Sequence, residues 1–130
     1  MCPNIKIKKN IGPQGEDIAA GFISQNDFEI IERNHRRKWG EIDIVAKKHE
    51  IFHFFEVKSV SRSRKTKSPF DPLDNVHKNK VSRLRKIIQT YLVEQGKGYD
   101  ADFYFHVLCV YINTKNDGDI EIVWLDNVIL

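Results

Sequence analysis

The sequence predicts an α/β domain in which a mixed central β-sheet is flanked by helices, with elements in the order α-β-β-β-α-β-β. Three observations predict it. Two segments, 14–25 and about 75–95, repeat apolar residues at helical spacing. Five others are short and rich in β-branched and aromatic residues. One of those five, 51–58, is largely apolar on both faces, as a central strand covered from both sides must be. The 130 residues suit one domain spanning 1–130, with 1–11 expected as a loose N-terminal segment. Two domains would each be too small to bury a self-sufficient core.

In the first helix, Ile18, Ala19, Phe22 and Ile23 form one apolar stripe, and Glu16 lies on its edge, an odd place for a carboxylate without a partner. After a turn at Gln25-Asn26-Asp27, residues 28–34 suit a strand. Gly40 opens a second strand, in which Ile42 and Ile44 alternate against Glu41, Asp43 and Val45. Lys47 to Glu50 form a polar hairpin connection to the third strand. That strand places Ile51, His53, Phe55 and Val57 on one face and Phe52, Phe54, Glu56 and Lys58 on the other. Ser59 to Pro72 is rich in Ser, Arg and Lys and carries two prolines, the composition of a basic loop. Asp74 can cap the second helix, which turns Val81, Leu84, Ile88 and Tyr91 inward, with Ile87 and Leu92 alongside, and ends at Gly96 and Gly98. Strands near 102–112 and 119–125 follow, joined by the turn sequence Asn116-Asp-Gly-Asp119.

Composition excludes several classes. The chain is 41% hydrophobic and 11% aromatic, which argues for a packed interior rather than disorder. Cys2 and Cys109 fit neither a metal spacing nor a disulfide framework, and Cys109 lies in the apolar run Val107-Leu108-Cys109-Val110, where a small buried residue is expected. The N-terminus has no apolar region behind its positive charge, and no stretch approaches the roughly 20 apolar residues of a membrane span. A soluble cytoplasmic protein without a membrane partner is the expectation. The net charge is only +3, but it is unevenly placed: residues 58–86 hold ten Lys/Arg against two acids, net +8, and the rest of the chain is −5. Arg33, Arg36, Arg37 and Lys38 form a second basic cluster. Localised positive charge on a near-neutral chain is the footprint of a polyanion partner.

The informative chemistry is Gly40-Glu-Ile-Asp43 followed on the next strand by Glu56-Val-Lys58. Side chains alternate along a strand, so Glu56 and Lys58 share a face about 7 Å apart. The tight connection at 47–50 predicts antiparallel pairing, which brings Asp43 beside Glu56. Two carboxylates converging on a covered face repel unless a proton or a cation intervenes. Oxygen ligands select a hard cation, and Mg²⁺ commonly takes one or two carboxylates and fills its shell with water and phosphate. An adjacent lysine cannot be a ligand, but it can neutralise charge on a phosphate oxygen or help deprotonate water. Taken alone, Glu56-x-Lys58 also reads as a salt bridge at a strand end.

Gly15-Glu16, Asn34, Gly40-Glu-Ile-Asp-Ile-Val45, Phe54-Phe-Glu-Val-Lys58, then Lys80, Leu84 and Tyr91-Leu92 resemble the pattern of the YraN family in identity and spacing from about Gly12 to Leu92. That family is similar to the Holliday-junction-resolvase branch of the PD-(D/E)XK, or restriction-endonuclease-like, superfamily. The resemblance implies a restriction-endonuclease-like core and Mg²⁺-dependent cleavage of nucleic acid, with Mn²⁺ as a substitute. It implies Asp43, Glu56 and the Val57 carbonyl as metal ligands, Lys58 as the catalytic lysine, and Glu16 as a further acid for the metal or its water. Lys80 would reach the site or the DNA backbone. Ile42 stands where many superfamily members have proline, Val60 where relatives commonly carry Arg, with Arg62 as a substitute, and Asp102-Phe103-Tyr104 where an Arg-Phe-Asp is expected.

The expected function is therefore a Mg²⁺-dependent endodeoxyribonuclease acting on DNA rather than RNA, including branched or structured DNA. Arg62, Arg64, Lys65 and Lys67, with Lys80, Arg83, Arg36 and Arg37, would contact phosphates, and Arg85 and Lys86 would extend the helix face. A homodimer is among the expectations, since resolvase-like enzymes commonly dimerise. The alternative is a nucleic-acid-binding module that keeps the fold and basic surface without turnover. A third reading is a subunit whose basic face meets an acidic protein. Other candidates have simpler readings: His53 as a core histidine with one hydrogen bond, His35 and His77 as solvent or phosphate contacts, and Trp39 and Trp124 as packing residues. Ser61 and Ser63 have no His or Asp at a spacing suited to nucleophilic catalysis.

Overall fold

A computed structural model describes residues 11–60, 78–98, 100–112 and 120–128, with side chains from 14 and from 80 in the two helical stretches. The elements are α1 (Ile11–Gln25), β1 (Glu29–Arg37), β2 (Gly40–Lys48), β3 (Ile51–Val60), α2 (Lys78–Glu94), β4 (Phe103–Ile112) and β5 (Ile120–Leu125). The order is the expected α-β-β-β-α-β-β, in one five-stranded sheet β1-β2-β3-β4-β5. The sheet is mixed: β3 and β4 run parallel, and the other neighbours are antiparallel. A parallel pair needs a crossover, and α2 lies within this one.

Local chemistry sets the ends of the elements. Both helices close in Schellman turns. Gly96 adopts φ +80°, the Lys97 N–H donates to the Leu92 carbonyl, and the Gly96 N–H donates to that of Val93. Asp27 takes the same left-handed position after α1, and Phe28 returns its N–H to Ile23. The β2–β3 hairpin turns through His49 and Glu50, both at positive φ, the geometry that matches the twist of the flanking strands.

The two helices cover opposite faces. Ile18, Ala19 and Ile23 of α1 pack on Ile44, Phe55, Leu108 and Val110. Leu84, Ile87, Ile88, Tyr91 and Leu92 of α2 pack on Phe52, Phe54, Phe105 and Val107. Central strand β3 is thus buried from both sides, as its apolar faces predict, and Cys109 is a buried core residue. Val81, expected to face inward, is only half-buried.

One expectation is corrected. Ile42 and Ile44 do not share a face: Ile42 joins the α2 layer and Ile44 the α1 layer. The partner strand switches at the same level, because Arg33 reaches the acids of α1 while His35 lies edge-on against Tyr91 of α2. Between Arg33↔Ile44 and His35↔Ile42 the register leaves Asn34 opposite Asp43, and Asn34 has φ +56°. Asn tolerates that left-handed conformation better than most residues. The pleat therefore reverses across Asn34 and Asp43, creasing the sheet at Asp43.

Of the expected loose segment 1–11, Ile11 instead begins α1, and of the expected basic loop Ser59–Pro72, Ser59 and Val60 instead extend β3. Residues 1–10, 61–77 with Asp74 and His77, and the turn 116–119 lie outside the described residues. Among the described residues, no helix is long and apolar enough to cross a membrane.

Candidate active site

The crease aims Asp43 at β3. The β2–β3 ladder runs to Ile44↔Phe55, and just beyond it Asp43 Oδ2 accepts a 2.8 Å hydrogen bond from the Val57 N–H. A side chain thus takes a donor that backbone pairing no longer reaches. Burial pushes the Asp43 carboxyl up to about 6; the Val57 bond opposes this, and the charges of Glu56, Glu16 and Glu41 add to it.

Glu56, 9% exposed, is one of few buried charged side chains among the described residues. Its Oε1 contacts the Lys80 ammonium from the first turn of α2 and lies 3.6 Å from Lys58 Nζ. The predicted alternation of β3 is therefore observed, with Glu56 and Lys58 close enough to interact. Burial is the largest single influence and disfavours the Lys80 ammonium, but the hydrogen bond to Glu56, the Glu56 charge and smaller contributions from Lys58 and Asp43 together outweigh it and raise its pKa. Glu56 Oε2 is buried and has no hydrogen-bond partner among the described residues. A buried carboxylate oxygen left bare is costly, and in a native protein it calls for an explanation.

Two cavities meet at Asp43. One, of about 560 Å³, lies between β2 and α2 and brings Asp43 together with Glu56, Lys80 and Arg83. The other holds Glu16, Lys58, Val57 and Asp43, on the side of α1. Gly15 permits this approach of α1, since a Cβ there would fall inside the Ser59 side chain. Glu16 has a partner that the sequence reading did not supply: Arg33 Nη2 lies 3.3 Å from it and 2.7 Å from Asp17. Among the described residues, no three His, Cys, Asp or Glu side chains are gathered tightly enough to hold one ion. Two strand carboxylates are brought to one cavity, and Glu16 stands across the second.

Of the phosphate-contact candidates, Arg83 lines the carboxylate cavity. Arg36 pairs with Glu41 at 3.0 Å and Arg37 with Glu94 at 2.9 Å. Arg62, Arg64, Lys65 and Lys67 lie outside the described residues. His35 is a correction: it is 4% exposed, bonded to Glu32 and set against Tyr91, so it contacts neither solvent nor phosphate. Its strand position reads as outward only if the pleat is regular, which Asn34 prevents. Trp39 packs on the α2 layer with Lys86 4.8 Å from its ring centre. The reading missed His106, which stacks near His53 deep in β4. Its only sequence signal is a polar residue inside the apolar run 103–112.

The sequence matches the uncharacterised protein family UPF0102 over residues 15–110. The chain belongs to that family. The match runs from Gly15 through most of β4, so it includes Glu16, Asp43, Glu56, Lys58 and Lys80. UPF0102 proteins similar to it include one from Campylobacter lari, 39% identical over 100 residues, covering 77% of this chain and 82% of the relative. Another, from Campylobacter fetus, is 35% identical over 102 residues, 78% of this chain and 84% of the relative. A UPF0102 protein from a Sulfurovum strain is 39% identical over 127 residues, spanning 96% of this chain and 98% of its own length. This is the family that the YraN resemblance identifies.

Proposed function

We propose that this UPF0102 protein is a Mg²⁺-dependent nuclease that hydrolyses phosphodiester bonds in DNA, branched or structured DNA included. The observation that carries the reading is the bare, buried Oε2 of Glu56 beside a second carboxylate whose proton affinity is raised. Such a pair stores repulsion that a divalent cation relieves. Two carboxylates are also the number that Mg²⁺ commonly takes from a protein.

Asp43 and Glu56 would hold the ion, with the Val57 carbonyl as a further ligand, and Mn²⁺ would serve in its place. When bound, the ion supplies charge that polarises the phosphate and acidifies water. Lys58, on the β3 face it shares with Glu56, neutralises charge on a phosphate oxygen or takes the proton of the attacking water. Lys80, joined to Glu56, serves as a second ammonium that can pass from the carboxylate to the incoming phosphate. Glu16 orients water from the α1 side, where Arg33 holds its carboxylate.

The second reading is a nucleic-acid-binding module without turnover. The Lys80–Glu56 contact favours it, because an ammonium already offsets that carboxylate. Purified full-length protein with Mg²⁺ or Mn²⁺, assayed on linear duplex, single-stranded and four-way-junction DNA and on RNA, decides between them. Cleavage that Glu56→Gln abolishes supports the nuclease. An identical null result for wild type and Glu56→Gln on every substrate, with nucleic acid still bound, leaves the module.

A further inference from the structure

We propose that the cleft beside the β1–β2 turn is a phosphodiester-backbone track. It leaves the carboxylate pair on the α2 side only and is read by Lys38 and Arg83, with Lys86 behind them. The role of the track rests on the nuclease reading for where the reacting phosphate sits; the cleft itself stands on separate observations. It is an open cavity of about 550 Å³ lined by residues 36–41 and Arg83. Gly40, Glu41 and Arg83 line both this cleft and the cavity that holds Asp43, Glu56 and Lys80, so the two are continuous. The turn abuts α2 directly, since a Cβ on Gly40 would lie 3.8 Å from the Arg83 Cβ.

The charge of the cleft divides in a way that the sequence does not show. Arg36 and Arg37 are engaged by Glu41 and Glu94. Lys38 and Arg83 have no ion-pair partner among the described residues, and Lys86 meets only the Trp39 ring. These are the cations left to meet phosphate. On the opposite side of Asp43, the second cavity carries Glu16 and Asp17, and each of its cations faces an acid: Arg33 faces Glu16 and Asp17, Arg36 faces Glu41, and Lys58 faces Glu56. Of the cations that line the two sides, those unpaired among the described residues lie toward the turn, and a polyanion is drawn that way. With Lys86 over its ring, Trp39 offers that face to no base. The track therefore holds backbone and carries no sequence preference.

The test is equilibrium binding of labelled single-stranded and duplex oligonucleotides of several sequences, in EDTA, across a salt series. Lys38→Ala and Arg83→Ala should each weaken binding equally for all sequences and flatten the log–log salt slope by about 0.9 on duplex or about 0.7 on single strands. Arg33→Ala, on the acidic side, and Lys97→Ala, beyond the end of α2, should leave the slope unchanged. Unchanged slopes in Lys38→Ala and Arg83→Ala would overturn the track, as would an equal loss in Arg33→Ala. Without divalent ion the outcome is independent of turnover. Protein that binds with these slopes yet cleaves nothing in Mg²⁺ ends the nuclease reading and keeps the track. Cleavage with unaltered slopes does the reverse.

Discussion

Polar side chains gather at two levels along strand β3, half-buried His53 with buried His106 at one and buried Glu56 with half-buried Asp43 at the other, and they are treated differently. At one, His53 Nδ1 lies 2.9 Å from His106 Nε2, and the Asn127 N–H donates to His106 Nδ1 at 3.0 Å. Both nitrogens of His106 are engaged, since Asp126 Oδ1 also lies 2.9 Å from Nδ1, so each has a partner whichever tautomer the ring carries. Three residues on, Glu56 keeps a buried oxygen with no partner among the described residues and Asp43 has an elevated pKa. Burial is comparable at the two levels; satisfaction is not. A closed network specifies packing, whereas an open one marks a place where something else must bind.

The sharpest way to break that contrast is through turnover. Lys58→Ala should reduce Mg²⁺-dependent cleavage on the order of 10²–10⁴-fold with the fold intact. His53→Ala should leave the rate per folded molecule unchanged. Single-turnover rates normalised to folded protein by circular dichroism would check both. Equal losses in the two variants would erase the distinction between the levels.

The next largest effect is in pH, where the two levels carry opposite signs. Burial, then the neighbouring His53, lowers the His106 pKa from 6.5 to about 4. The unfolded chain therefore takes up this proton first, and stability falls as pH drops from 6.5 toward 4, by about 3 kcal/mol at most. Asp43 is raised from 3.8 to about 6, so the folded state holds its proton longer, and stability falls as pH rises through that window by a similar amount. In the wild type the two slopes oppose each other. Asp43→Asn keeps an acceptor for the Val57 N–H and removes the charge, so without divalent ion it should melt several degrees above wild type at pH 8 and level with it below pH 4. Adding Mg²⁺ should narrow the gap at pH 8 by stabilising only the wild type. Parallel melting curves across pH would show that Asp43 is not held under strain.

The fold was legible because its signals are periodic. The stripe of α1, the two apolar faces of β3 and the stripe of α2 each repeat with the period of the element that bears them. Pairing Glu56 with Lys58 followed from the two-residue repeat of a strand. What escaped was aperiodic or distant in sequence. The reversal at Asn34–Asp43 depends on one backbone angle, and nothing in the residues beside Asn34 announces it. Arg33 meets Glu16 across 17 positions, and Lys80 meets Glu56 across an entire crossover; either contact needs the sheet order first. His106 falls diagonally from His53 only once the parallel register His53↔Tyr104 is fixed.

The smaller effects sit where α1 meets the sheet, and they ask whether Glu16 belongs with the open level or merely borders it. Gly15→Ala places a methyl group inside Ser59, so α1 must lift, at a loss of about 1–3 kcal/mol. Pairing it with Ser59→Gly vacates that space and should restore most of the melting temperature. Removing the exposed Arg33 guanidinium should destabilise by only about 0.2–1 kcal/mol, because solvent screens its pairs with Glu16 and Asp17. If Glu16 orients water for the reaction, Arg33→Ala should nevertheless slow cleavage well beyond that stability change while leaving Mg²⁺ affinity untouched, because the arginine holds the carboxylate and touches neither strand acid. A rate that falls no further than folded fraction predicts would assign Glu16 to docking α1 alone, and the chemistry would then rest on Asp43, Glu56 and the two lysines.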